Sequence, residues 1–149
     1  SKILIPFRDP LQHSYSLLNQ HEKFIKIQEE NSFIRNYMFW IGHSEFGMDY
    51  NPIYEKNLSY LDINDINHWL EQWYLSYKML KKFKESSNVF FVCYEQLCSD
   101  SSAFKLILDF IEVKSKTNFD FRQSFKEIES YYDESLYNKC LELYEELKA

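Results

Sequence analysis

At 149 residues the chain is expected to fold as one domain spanning residues 1–149, long enough to bury a core. Aromatic residues make up 19% of it, which argues against disorder. A net charge of −6, from 17 basic and 23 acidic residues, disfavours general nucleic-acid binding but leaves room for a local basic spot that holds a nucleotide. No apolar run approaches the ~20 residues that span a bilayer, so no membrane segment is expected. No signal-peptide pattern is visible, and a cytoplasmic location is the expectation. Cys93, Cys98 and Cys140 are odd in number and lack Cys-x-x-Cys spacing, so they read as reduced and mostly buried. The four histidines and three cysteines do not have metal-ligand spacing, and no metal site is expected.

Ile3 to Phe7 is a continuous apolar run, as in a strand covered on both faces. Asp9 is a good N-cap and Pro10 fits a first helical position, where its missing N–H costs nothing. A helix follows to about Glu29, with Leu11, Tyr15, Leu18 and Ile25 on one face. Arg8 thus stands at the carboxyl end of a strand and beside a helix N-terminus, the edge where open α/β sheets take ligands. Free N–H groups, the helix dipole and the guanidinium all favour an anion there; the competing reading is that Arg8 pairs with Asp9 or another carboxylate. His13, Ser16 and Gln20 share one helix face, and Ser14, Leu18 and His21 a neighbouring one. His21 reads as structural, and His13 as a candidate extra donor toward the anion.

Residues 31–61 are the least regular part. Phe33, Tyr37 and Trp40 are spaced for a short helix over Ser32–Trp40, broken by the stretch Ile41 to Gly47. Asn51-Pro52 marks a turn. A long helix is expected from about Asn64 to Lys84, capped by Asp62 or Asn64. Its buried stripe is Ile66, Trp69, Leu70, Trp73, Tyr77 and Leu80, and Lys78, Lys81, Lys82 and Lys84 form a solvated, dipole-compensating end. Val89 to Tyr94 is a second apolar, β-rich strand. Two buried strands joined through helices imply parallel pairing. The run from Ser99 to Ser102 supplies caps for a helix over Ala103–Ile111, with Phe104, Ile107, Leu108 and Ile111 inward. Glu112 to Ser130 is a polar connector, anchored by Phe119, Phe121 and Phe125. Asp133 caps a last helix from Glu134 to Lys148, whose stripe is Leu136, Tyr137, Cys140, Leu141, Tyr144 and Leu147.

The expected fold class is therefore α/β: an incomplete parallel sheet of about two strands in predominantly helical surroundings. An open apolar sheet edge invites pairing with the rest of a larger protein or self-association.

Two stretches carry a resemblance. The first is Arg8-Asp9-Pro10 with Ser16 eight residues after the arginine. The second runs from Asn88 through Tyr94-Glu95-Gln96-Leu97. Together they resemble the nucleotide-binding segments of sulfotransferases that use 3′-phosphoadenosine 5′-phosphosulfate, in which Asp is usual at the place of Gln96. The resemblance implies a P-loop-like parallel sheet, with Arg8 and Ser16 holding the 3′-phosphate and Tyr94 contacting adenosine. Ser14 is a neighbouring hydroxyl, and Glu95 is expected to hold backbone or loop groups. By the same analogy Trp40, His43, Glu45, Phe46 and Tyr50 line an acceptor pocket, with His43 and Glu45 the only acid–base pair there. A late basic loop in many members closes on the 3′-phosphate; Arg122 with Lys126 is the nearest feature here.

The family's glycine-containing phosphosulfate loop, with its catalytic lysine, precedes the arginine strand. Gly42 and Gly47 do not sit in such a loop, and Lys114-Ser115-Lys116-Thr117 reads as a polar connection. The expectation is the C-terminal portion of a sulfotransferase domain, inactive by itself, with no catalytic residue assigned. The complete domain would transfer a sulfuryl group to an unidentified acceptor hydroxyl or amine. The alternatives are a noncatalytic nucleotide-binding or scaffolding module, and another mononucleotide enzyme such as a kinase.

Overall fold

The computed structural model describes residues 1–54, 57–115, 119 and 121–148. Two strands, β1 (Ile3–Phe7) and β2 (Val89–Cys93), pair in parallel, with Ile3 opposite Val89 and Phe7 opposite Cys93. Around them stand α1 (Pro10–Glu30), α2 (Ser32–Trp40), α3 (Ile66–Leu80), α4 (Tyr94–Ser99), α5 (Ser101–Phe110) and α6 (Glu134–Lys148). The class is mixed α/β with an incomplete sheet in helical surroundings, as the sequence implied.

One connected core joins β1, α1, α3, β2 and α6. Phe7 is its hub at the end of β1. Its ring meets Tyr77 at 6.3 Å, Phe91 at 6.3 Å and Tyr144 at 5.6 Å, all edge-on, the geometry that ring quadrupoles favour. The Tyr77 hydroxyl donates to the Pro6 carbonyl at 2.7 Å and so ties α3 to β1. Leu136, Cys140, Leu143, Tyr144 and Leu147 of α6 close the core from the other side. Leu143, outside the expected stripe, is buried in preference to Leu141 because α6 turns this edge toward α3.

Several local expectations are corrected. β1 is not covered on both faces: Ile3 and Leu4 are 47% and 38% exposed, since a two-stranded sheet gives its entry end too little to pack against. α3 is capped by Asp65, whose carboxylate accepts from the Asn67 N–H, while Asp62 caps a separate turn through Asn64. α3 ends at Leu80 and tightens into a 3₁₀ turn over Lys81–Phe83. Within the solvated lysine end, Lys81 and Lys84 also reach across the surface to Glu146 near the end of α6, Lys84 through the Glu146 carbonyl. β2 stops at Cys93, and Tyr94 opens α4 with Glu95 in its first turn, where a carboxylate suits the dipole. α5 begins earlier than expected, at Ser101, because Asp100 caps it through the Ser102 N–H. Phe119 and Phe121 pack on Phe104 at 5.0 and 5.5 Å, but Phe125 is 77% exposed and anchors nothing. In the Lys114 to Thr117 stretch, Lys116 and Thr117 lie outside the described residues.

The irregular stretch after α2 is held by α1. Gly47 N–H donates to His21 Nδ1 at 3.3 Å, and Met48 N–H donates to Gln28 Oε1 at 2.7 Å. Gly47 has φ +87°, and a Cβ there would stand 2.3 Å from Gln28 Oε1. Glycine is required on both counts. No helix among the described residues is long and apolar enough to cross a membrane.

Candidate functional site

The corner where β1 passes into α1 is built from three parts of the chain. Asp9 caps α1 as expected: its carboxylate accepts the Gln12 N–H at 2.8 Å and its carbonyl the His13 N–H at 2.9 Å. Pro10 has no N–H to offer. The cap therefore uses the Gln12 N–H, one of the helix N–H groups that the sequence reading left for an anion. Positive potential at this corner rests on Arg8 itself. Glu95 Oε1 accepts the Asp9 N–H at 3.0 Å, and Glu95 Oε2 accepts the Tyr144 hydroxyl at 3.0 Å. The expected holding role of Glu95 thus takes a concrete form, joining the end of β2 to the turn after β1 and to α6.

Arg8 forms no ion pair among the described residues, which sets aside its pairing with Asp9. Its guanidinium lies 5.0 Å from the Tyr94 ring centroid, Nη2 donates to the Ser124 carbonyl at 3.1 Å, and Nε is buried with no hydrogen-bond partner. Tyr94, at the end of β2, is thereby stacked with Arg8 as their shared sheet edge predicts. The Tyr94 hydroxyl donates to the Arg122 carbonyl at 2.7 Å and accepts the Ser124 N–H at 3.1 Å.

The segment 122–126 is pinned at its other end by Gln12, whose side-chain amide donates to the Lys126 carbonyl at 2.8 Å and accepts the Lys126 N–H at 2.9 Å. Lys126 Nζ sits 5.7 Å from the Tyr15 ring. The basic pair Arg122 and Lys126 is thus carried to the Arg8 corner from more than a hundred residues away. Sequence reasoning missed Gln12 as the clamp. A glutamine in the first turn of a helix carries no pattern that marks it for this role; its burial is seen only in the fold.

Ser16 is one turn beyond Gln12 on α1. Its hydroxyl donates to the Gln12 carbonyl at 3.0 Å, and no hydrogen bond links it to Arg8 among the described residues. Ser14 is fully buried with its hydroxyl unpartnered. His13 is next to the corner. Its pKa is lowered from 6.5 to about 4, first by burial and then by the Arg8 charge, with Glu95 opposing. His13 is neutral at pH 7, with Nδ1 buried and unpartnered.

A cavity of about 320 Å³ opens on the far side of His13, between α1, α3 and residues 45–53. Of the five residues expected to line an acceptor pocket, Glu45, Phe46 and Tyr50 do line it. Trp40 and His43 do not: Trp40 is 70% exposed on α2, and His43 Nδ1 meets Glu45 Oε2 at 2.7 Å. Those two side chains converge, but largely in solvent. Trp69, Trp73 and Tyr77 form the facing wall, so the stripe read as pure core also has a surface toward the cavity.

A second hollow beside Asp62, Asp65 and Asp133 is occupied by capping. Each carboxylate accepts neighbouring N–H groups, and Asp133 also accepts the Tyr60 hydroxyl at 2.5 Å. No family model, curated protein or solved structure matches the chain.

Proposed function

We propose that the Arg8 corner holds the 3′-phosphate of an adenosine nucleotide, and that the chain is the nucleotide-binding, C-terminal part of a sulfotransferase-type domain using 3′-phosphoadenosine 5′-phosphosulfate. The observation that carries this reading is the guanidinium of Arg8. It is stacked on Tyr94 at the carboxyl end of a parallel strand pair, has no carboxylate partner among the described residues, and has a segment bearing Arg122 and Lys126 clamped beside it. Such a site attracts a dianion by charge and by directed N–H donors. Ser16 joins by rotating its hydroxyl from the Gln12 carbonyl toward the phosphate. The Tyr94 hydroxyl is committed to residues 122–124, which leaves its ring for the nucleotide. The acceptor is a hydroxyl or amine, and the sulfuryl group is transferred by apparatus other than these residues. The apolar sheet edge is covered by further protein or by a second copy.

The test is calorimetric titration of the protein with 3′-phosphoadenosine 5′-phosphate and with 5′-AMP, on the wild type and Arg8→Ala. The 3′-phosphate is expected to confer the tighter binding, and Arg8→Ala to weaken it by about 1.5–3 kcal/mol. Equal affinity for both nucleotides, or an unchanged Arg8→Ala, would refute the assignment and favour another mononucleotide enzyme or a nonspecific module.

A further inference from the structure

Residues 45–53, which wall the cavity beside α1 and α3, are fastened by two buried imidazoles. His21 on α1 is 0% exposed and His68 on α3 is 1% exposed. Phe46 stacks on Phe24 of α1 at 6.2 Å and on Trp69 of α3 at 5.9 Å. Tyr50 meets the His21 ring at 5.2 Å and the His68 ring at 5.6 Å.

The hydrogen bonds fix which ring nitrogens carry protons. His68 Nδ1 stands 2.8 Å from the Tyr60 carbonyl, which only accepts, so Nδ1 bears the hydrogen. His68 Nε2 is then bare and accepts the Tyr50 hydroxyl at 2.7 Å. His21 is the reverse. Its Nδ1 accepts the Gly47 N–H and is bare, so the hydrogen is on Nε2, which is buried without a partner. The two rings therefore meet acid differently. A proton on His68 Nε2 finds the Tyr50 oxygen once that hydroxyl turns. A proton on His21 Nδ1 sets N–H against N–H, and the Gly47 amide has no lone pair to offer in its place.

The titratable groups facing His21 come from each element around it. Glu22 on α1 favours the imidazolium and His68 on α3 opposes it. Tyr50, in residues 45–53, stays neutral because burial pushes its pKa up to about 12. Burial is the largest influence on His21, and with His68 it holds the pKa below 6.5. The second fastening, Met48 N–H to Gln28 Oε1 at 2.7 Å, has no titrating member.

We propose that residues 45–53 are a pH-operated flap: protonation of His21 at Nδ1 releases Gly47, and the flap lifts from α1 and α3 and opens the cavity. The flap is closed while His21 is neutral. Once it lifts, the ring meets water and titrates near its ordinary 6.5, so acid favours the open form. Arg8 takes no part, and the flap stands or falls independently of the nucleotide assignment.

The test is amide exchange by NMR at Gly47 and Met48 from pH 7 to pH 5, corrected for intrinsic exchange. Their protection should fall about three- to tenfold between pH 6 and pH 5, the upper bound being one proton taken up per opening. Leu70 in the core of α3 reports global unfolding, and its protection should exceed theirs throughout. His21→Asn, whose Oδ1 replaces Nδ1 as the acceptor for Gly47 and does not titrate, should flatten the pH dependence. Gln28→Met should lower protection at every pH and keep the slope, and His13→Gln should leave both unchanged. Near-UV circular dichroism establishes which variants are folded; if His21→Asn is not, the wild type, Gln28→Met and His13→Gln decide. The proposal is overturned if wild-type protection at Gly47 and Met48 is flat from pH 7 to pH 5 or equals that of Leu70. It is also overturned if folded His21→Asn keeps the wild-type slope, or if His13→Gln or Gln28→Met abolishes it.

Discussion

Acidification from pH 7 to pH 4 tests the His13 environment directly. Above pH 6.5 His13 is neutral in both the folded and the unfolded chain, so it contributes no pH dependence. In the folded protein its pKa is about 4, because burial and the Arg8 charge disfavour the imidazolium. Between 6.5 and 4 the unfolded chain therefore takes up a proton that the folded chain refuses, and stability falls as pH falls. Below about 4 both states are protonated and the loss is complete. The gap from 6.5 to about 4 corresponds to about 3 kcal/mol, a large share of the 5–15 kcal/mol of a typical domain. Asp49, Asp100 and Asp133 act in a different window. Hydrogen bonds lower their pKa values below 3.8, so their stabilisation is present above 3.8 and lost beneath it. His21, lowered by burial and by His68, shares the upper window and leaves a residual slope when His13 is replaced.

The assay is urea unfolding of wild type and His13→Gln at intervals from pH 7 to pH 4. The wild type should lose about 3 kcal/mol more than the variant across that range. Two stability curves that stay parallel within about 0.5 kcal/mol would refute the reasoning. An NMR titration of the His13 ring with a midpoint near 6.5 would refute it as well.

Other outcomes follow from particular contacts. Gly47→Ala should cost on the order of 2 kcal/mol in urea melts, because it imposes a strained φ and drives a Cβ into Gln28, whose amide is already bonded to Met38 and Met48. Iodoacetamide should modify Cys98 first in native protein, read by mass spectrometry. Cys93 and Cys140 are buried, and burial pushes the Cys140 thiol up to about 12. Gln12→Ala should release residues 122–126 from α1, seen as faster amide exchange at Lys126. If 3′-phosphoadenosine 5′-phosphate binds at Arg8, its phosphate screens the guanidinium and the His13 midpoint should rise on saturation, measurable in the same NMR titration.

The helices and strands were legible in the sequence because each is a local statement. Asp9 and Pro10 begin α1, apolar residues recur at helical spacing along α3 and α6, and β-rich runs lie where β1 and β2 form. Boundaries were less legible where neighbouring caps compete: Asp62, Asn64 and Asp65 are all good caps, and the winner depends on where α3 docks. Arg8 and Tyr94 were readable as sharing a sheet edge, since parallel pairing brings the carboxyl ends of both strands to one side. Three things were decided by tertiary structure. The Asp9 carboxylate, not a ligand, takes the Gln12 N–H in the first turn of α1. Gln12 and Tyr94 draw residues 122–126 onto the Arg8 corner through backbone hydrogen bonds that no residue pattern encodes. The cavity lies between α3 and residues 45–53, which are held through Gly47 and Met48 to α1 and meet Trp69 through Phe46 and Tyr50. Sequence spacing reports which face of a helix is apolar, but whether that face is filled or left open depends on how closely a second, irregular segment can approach it.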